Sequence, residues 1–211
     1  MSIIQDIFDA VITGKAKIIG EMVQTAIDED ITAQVILNDG MLAAMDLVGE
    51  RFKNGDVFIP EMLIAARAMN AGMDVLKPHL TEAGVTSIGK AVLGTVKGDQ
   101  HDIGKNLVRI MFEGKGIEVI DLGTDVSPER FVDTAVEQGA TIIACSALLT
   151  TTMNEMKNVV NLLDARGLRD KITVMVGGAP ITQAFCDLIG ADYYSKDAAT
   201  AADIAKSVLV G

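Results

Sequence analysis

The sequence is short of basic residues, cysteine, histidine and long apolar runs, and each shortage removes a class of function. Only 18 Lys and Arg stand against 29 Asp and Glu, a net charge of −11. A surface of that sign repels the phosphate backbone of nucleic acid and anionic lipid, so neither is expected as the main partner. No apolar stretch approaches the roughly 20 residues that a membrane-spanning helix requires. The opening MSIIQDIFDA carries Asp6 and Asp9 where a signal peptide has positive charge and then unbroken apolar residues. Cys145 and Cys186 lie inside apolar segments and make no disulfide framework. What is present in quantity is apolar: 49% of the 211 residues, against 22% charged. The expectation is a cytoplasmic, globular, acidic chain with enough length for one large domain or two small ones.

The apolar pattern changes near residue 80. Before it, apolar residues recur at helical spacing: Ile18, Met22 and Ala26; Met41, Met45, Val48 and Phe52; Met62, Ala66, Met69, Met73 and Leu76. Pro60 suits a first helical turn, and Asn54-Gly55-Asp56 marks a turn between helices. This part predicts a bundle of four or five helices. Seven of the eleven methionines fall in it, either as flexible core filler or as an adaptable apolar face over a bulky ligand. Residues 80–89, LTEAGVTSIG, lose the periodicity and read as a linker, so the chain divides into 1–89 and 90–211.

From Lys90 onward short β-rich runs (91–96, 117–122, 141–146, 172–176, 191–194) alternate with amphipathic segments near 104–114, 128–138, 153–166, 181–189 and 198–209. Ser127-Pro128 supplies a cap and a first-turn proline for the second of those segments. Five strands alternating with five helices predict an α/β fold with a doubly wound five-stranded parallel sheet. Runs 91–96, 141–146 and 172–176 are almost continuously apolar, which suits strands covered on both faces. In such sheets ligands bind beyond the carboxyl ends of the strands. The loops there read KGDQHDIG, SALLTTT, GGAP and YSKD.

The first of these loops is not a phosphate-binding loop, because five residues separate Gly98 from Gly104 where four are needed, and Asn106 replaces the magnesium-binding hydroxyl. A receiver domain would end its third strand in aspartate, where Ser146 stands, and a flavin mononucleotide site would want a first loop rich in hydroxyls. The two histidines and two cysteines lack zinc-ligand spacing. Two readings of Asp99-Gln100-His101 remain. The pair braces a loop, or the carboxylate fixes the imidazole tautomer and leaves the other ring nitrogen to coordinate a metal. His79 reads as a helix-terminal cation or surface residue, and Cys145 as a small apolar filler.

The stretch Gly98-Asp99-Gln100-His101-Asp102-Ile103-Gly104 resembles the Asp-x-His-x-x-Gly signature of cobalamin-binding domains. Ser146-Ala147-Leu148 and Gly177-Gly178 match the family's later Ser-x-Leu and Gly-Gly elements, in order and each after its strand. The helical part resembles the cap module of the same family, so the resemblance covers nearly the whole chain. It is similar to the cobalamin region of methionine synthase and to the free-standing corrinoid proteins that serve methylamine, methanol, betaine or methoxy-aromatic methyltransferases in methanogens and acetogens.

The resemblance implies a flavodoxin-like domain holding cobalamin base-off and His-on, with His101 as the lower axial ligand to cobalt. It implies that Asp99 hydrogen-bonds His101 and that Thr152 completes the chain where methionine synthase has serine. Asp102, Ile103, Gly104, Ser146, Leu148, Thr150, Gly177 and Gly178 would line the cofactor, the glycines because a side chain would block close approach. Tyr193 and Tyr194 would flank the nucleotide tail. Phe52, Ile59 and Met62 match positions covering the upper face; without the resemblance they are ordinary helix core. The implied chemistry is methyl carriage between cob(I)alamin and methylcobalamin. The implied partners are a substrate-specific methyltransferase, a second methyltransferase acting on tetrahydrofolate or a thiol, and a reductive activase. A cobalamin-binding sensor or regulatory module is the alternative, disfavoured because there is neither spare length nor a basic patch for DNA. A carbon-skeleton mutase subunit fits the helical part poorly, and a plain interaction domain leaves the loop motifs unexplained.

Overall fold

The computed structural model describes residues 2–211 and forms two compact units, one reaching to Thr86 and one spanning Ser87–Gly211. The first is helical. Helix α1 (Ile3–Ile12) starts where the Ser2 hydroxyl accepts from the Gln5 N–H, and α2 covers Ile19–Asp28. A single turn, α3 (Ala33–Val35), runs without interruption into a π-helical stretch, Ile36–Leu42, and then α4 (Ala43–Asn54). Gly55, at φ +81°, stops α4 in the left-handed conformation that glycine adopts without strain. Helix α5 (Ile59–Glu82) opens with Pro60 in its first turn, and the Glu61 carboxylate accepts from the Phe58 N–H at 3.0 Å.

Three details differ from the sequence expectation. The buried face of α2 is Ile19, Val23 and Ala26, while Ile18 is exposed, because residues 15–18 form a turn and helical phase starts one position later. The wide π turns have no apolar-period signature; there Gly40 lies against Ile7, whose Cγ2 would stand 3.1 Å from an added Cβ. Finally, α5 passes through Pro78 to Glu82, so residues 80–82 are helix and not linker. Pro78 deletes one backbone hydrogen bond near an exposed helix end, and burial of Leu76 and Leu80 on either side offsets it.

The second unit alternates strictly: β1 (Gly89–Thr95), α6 (Ile103–Glu113), β2 (Ile117–Asp121), α7 (Pro128–Gln138), β3 (Ile142–Ser146), α8 (Asn154–Ala165), β4 (Thr173–Gly177), α9 (Gln183–Ile189), β5 (Tyr193–Ser195) and α10 (Ala198–Val210). All strand pairs are parallel, in the order β2-β1-β3-β4-β5. Val92, Ile143 and Val174 pack with Phe131, Val132, Val159 and Leu163 of α7 and α8. Alternate strand residues point the other way, toward the face where α6 packs on α10, whose buried positions are alanines that allow a close approach. Strand order reverses between β1 and β3. Their following loops part there, opening the crevice in which such sheets bind ligands.

Candidate functional site

Asp99 sits at that switch point, in the loop after β1, and its side chain is completely buried. Five donors converge on it. Its Oδ1 accepts from the His101 Nδ1–H at 2.7 Å and the His101 backbone N–H at 3.1 Å. Its Oδ2 accepts from the backbone N–H groups of Leu148 (2.8 Å) and Leu149 (3.1 Å) and from the Thr152 hydroxyl (2.9 Å). Burial alone would raise the Asp99 pKa, but the His101 hydrogen bond and the Leu148, His101 and Leu149 N–H groups outweigh it. The carboxyl is held well below the usual aspartate range. An ionised carboxylate only accepts, so the neutral imidazole carries its proton on Nδ1 and keeps its lone pair on Nε2.

The His101 side chain is half exposed, and its backbone is clamped from both sides: its N–H by Asp99, its C=O by the Thr95 hydroxyl at 2.9 Å. The loop after β2 adds a brace. Asp125, at φ +54°, donates its N–H to the Asp99 carbonyl at 3.0 Å, and its Oδ1 accepts from the Gly98 N–H at 2.7 Å. The Thr124 hydroxyl donates to the Gln100 amide oxygen at 3.1 Å.

The structure therefore brings Asp99, His101, Leu148 and Thr152 together in one hydrogen-bonded cluster. Asp102 takes the N-cap position of α6, with its carboxylate accepting from the Asn106 amide at 3.1 Å. Ile103 follows, 73% exposed, and Leu148 and Leu149 are also exposed beside the His101 loop. A Cβ placed on Gly104 would meet nothing within 4 Å beyond its chain neighbours and the backbone of its own helix. Ser146 ends β3 in register with Thr95 and Gly177, and Thr150 is exposed on the following loop. Gly178 adopts φ +125°, and a Cβ there would fall 1.9 Å from the Ala147 carbonyl oxygen. Tyr193 is exposed on β5, while Tyr194 packs on the core. In the helical unit Phe52 is half-buried, Ile59 is 40% exposed and Met62 is completely buried.

Residues 89–204 match the B12 binding domain family, and residues 3–77 match a second family also described as a B12 binding domain. The chain is 42% identical over 212 residues to a corrinoid protein of Desulfitobacterium hafniense (strain Y51), covering 99% of this chain and 98% of that one. It is 44% identical over 208 residues to the dimethylamine corrinoid protein of Methanosarcina barkeri, covering 98% and 97%. The chain belongs to the corrinoid protein family. The fold of this corrinoid protein also superimposes on the methanol:cobalamin methyltransferase complex of Methanosarcina barkeri, with a TM-score of 0.89 at 30% identity, covering 99% of this chain and 80% of that one. Both units of this corrinoid protein thus match families described by cobalamin binding.

The donor set fits such a cofactor. Among the described residues no group of three His, Cys, Asp or Glu is placed to hold a metal. His101 offers a single nitrogen, as suits a metal that brings its other ligands in a macrocycle, and Ile103, Leu148 and Leu149 offer apolar surface beside it. Sequence reasoning missed the three backbone donors to Asp99, the Thr95 clamp and the Asp125 brace. A hydroxyl ending a strand, as at Thr95, was the only one of these with a visible signal.

Proposed function

We propose that this corrinoid protein carries a methyl group on cobalt between a substrate-specific methyltransferase and a second methyltransferase that methylates tetrahydrofolate or a thiol acceptor. The observation that carries this reading is the fully buried Asp99 carboxylate, which fixes the His101 tautomer and leaves Nε2 open at the switch point. The relatives' names support the methyl-transfer setting: one serves dimethylamine, and one structural neighbour is a methanol:cobalamin methyltransferase complex.

When bound, the corrinoid would supply a cobalt that accepts a methyl group as cob(I)alamin and gives it up as methylcobalamin. His101 Nε2 would be the axial donor with the cofactor base-off. Asp99 holds the Nδ1 proton and thereby keeps Nε2 as the free donor nitrogen, and Thr152 holds Asp99 in turn. Gly177, Gly178, Ser146 and Thr150 would border the nucleotide tail, with Asp102, Ile103, Gly104 and Leu148 at its entrance and exposed Tyr193 flanking it, whereas Tyr194, on the opposite face of β5, packs on the core and does not. The helical part (1–89) would act as cap to the cofactor domain (90–211). Within it Ile59, with its neighbour Phe58 (65% exposed), offers apolar cover, whereas Met62 supports that surface from the core. The partners are the two methyltransferases and a reductive activase that restores oxidised cobalt.

The test is reconstitution with hydroxocobalamin, beside a His101→Ala variant. Stoichiometric uptake, reduction to cob(I)alamin and rapid methylation by methyl iodide are expected, with altered cobalt(III) absorption bands in the variant. Absence of corrinoid uptake would sink the reading. Uptake of adenosylcobalamin alone, with resistance to methylation, would replace it with a sensor.

A further inference from the structure

The helical unit holds a concentration of positive charge that has no hydrogen-bond or ion-pair partner among the described residues. The α1–α2 turn packs directly on α5: Gly14, at φ +70°, sits so close to Ile64 that an added Cβ would lie 1.8 Å from its Cγ2. Backbone hydrogen bonds fix the turn, from Lys15 N–H to the Ala10 carbonyl at 2.8 Å and from Ile18 N–H to the Lys15 carbonyl at 3.2 Å. Beside this contact is a notch of about 400 Å³ lined by Lys15, Lys17, Ile18, Ile64 and Arg67. The three cationic side chains are exposed and make no hydrogen bond or ion pair among the described residues. In a chain carrying −11 overall, three uncompensated cations in one concavity, lined also by exposed Ile18 and Ile64, are a local inversion of charge.

We propose that this notch receives an acidic segment of the methyltransferase that loads the carrier, with its carboxylates among Lys15, Lys17 and Arg67 and its apolar flank on Ile18 and Ile64. This rests on the methyl-carrier reading and adds where the partner docks. Charge complementarity selects the partner's sign, and the apolar rim favours a protein surface over a free small anion. Ile64 lies five residues beyond Ile59, roughly 140° around the helix. A partner held at the notch therefore leaves the Ile59 face free.

The experiment uses the full-length, corrinoid-loaded protein and a Lys15→Glu/Lys17→Glu/Arg67→Glu variant, with a Lys→Gln/Arg→Gln version as the neutral control. Dimethylamine and methanol methyltransferases with their substrates are the methyl sources, and methyl iodide is the partner-free source. The expected result is unchanged corrinoid spectrum and unchanged methylation by methyl iodide. With the enzyme, the KM for the carrier should rise roughly tenfold with kcat preserved. Wild-type transfer should slow as NaCl is raised from about 50 to about 300 mM, and the reversed variant should lose that dependence. Equal KM and equal salt response in wild type and variant would overturn the docking site alone. Failure of the corrinoid-loaded wild type to take a methyl group from methyl iodide would instead remove the carrier reading and the docking site with it. If the variant differs only in self-association on gel filtration, the notch belongs to a second copy of this chain and the proposal is wrong.

Discussion

The hydroxyl of Thr152 and the carboxylate of Asp99, 53 residues apart in the chain, meet at 2.9 Å in the interior of the α/β unit. The same hydroxyl lies 3.0 Å from the Leu149 carbonyl, and it has one proton for the two acceptors. The ionised carboxylate is the stronger claimant. Thr152→Val keeps the shape and removes the donor, which should cost about 1.5–3 kcal/mol in urea unfolding. Thr152→Ser should recover most of it. A Val variant as stable as wild type would refute a stabilising hydrogen bond from this hydroxyl.

Asp99 also sets a pH dependence. Its folded pKa is depressed below the ordinary 3.8, so in acid the unfolded chain binds the proton more readily than the folded one. The stability Asp99 contributes is thus fully present above about pH 4 and is lost as the pH falls toward its folded value. Asp99→Asn turns an amide NH2 toward donors on whichever side it is placed, at a cost of about 3 kcal/mol or more at pH 7. The stability gap between the two proteins should narrow from neutral pH to near pH 3, because only the wild type has this carboxylate to protonate. A gap that stays constant with pH would refute the assignment.

Adjacent glycines should respond unequally. A Cβ on Gly178 meets the Ala147 carbonyl at 1.9 Å in a backbone conformation that L residues rarely adopt, so Gly178→Ala should lose at least about 2 kcal/mol. At Gly177 the Cβ would lie 3.2 Å from the Ser195 carbonyl, a contact that small shifts relieve. Gly177→Ala should lose no more than about 1 kcal/mol. Thermal unfolding of the two variants reads the difference directly.

The thiols should be silent in the native state. Cys145 and Cys186 are both buried, and desolvation pushes the Cys145 thiol up to about 12. Titration with a disulfide reagent at pH 8 should find no fast thiol in the folded protein and two after denaturation. Fast native reaction of Cys145 would mean that β3 opens locally.

Much of the α/β unit was legible because its signals are local. Ser127-Pro128 marked the start of α7, the apolar runs fell on β1, β3 and β4, and the Asp-x-His-x-x-Gly stretch placed His101 at the ligand edge. What escaped depends on backbone groups and on long-range packing. The Leu148 and Leu149 N–H groups leave no trace in side-chain identity, and the Asp125 brace needs a left-handed aspartate that nothing nearby announces. In the helical part, π turns shift the phase of the apolar repeat, and Pro78 reads as a stop although Leu80 is buried beyond it. Phe58 went unremarked because an exposed aromatic beside a helix start has no periodic partner.

The crossover that places β3 beside β1, with β2 on the far side, also dictates when the protein becomes competent during its synthesis. A nascent chain that has emerged only as far as α7 possesses the whole histidine loop yet none of the donors of residues 148–152. Asp99 is then an ordinary solvated aspartate, and the imidazole turns freely. The donor set around Asp99 is therefore completed only after the ribosome has released the segment through Thr152.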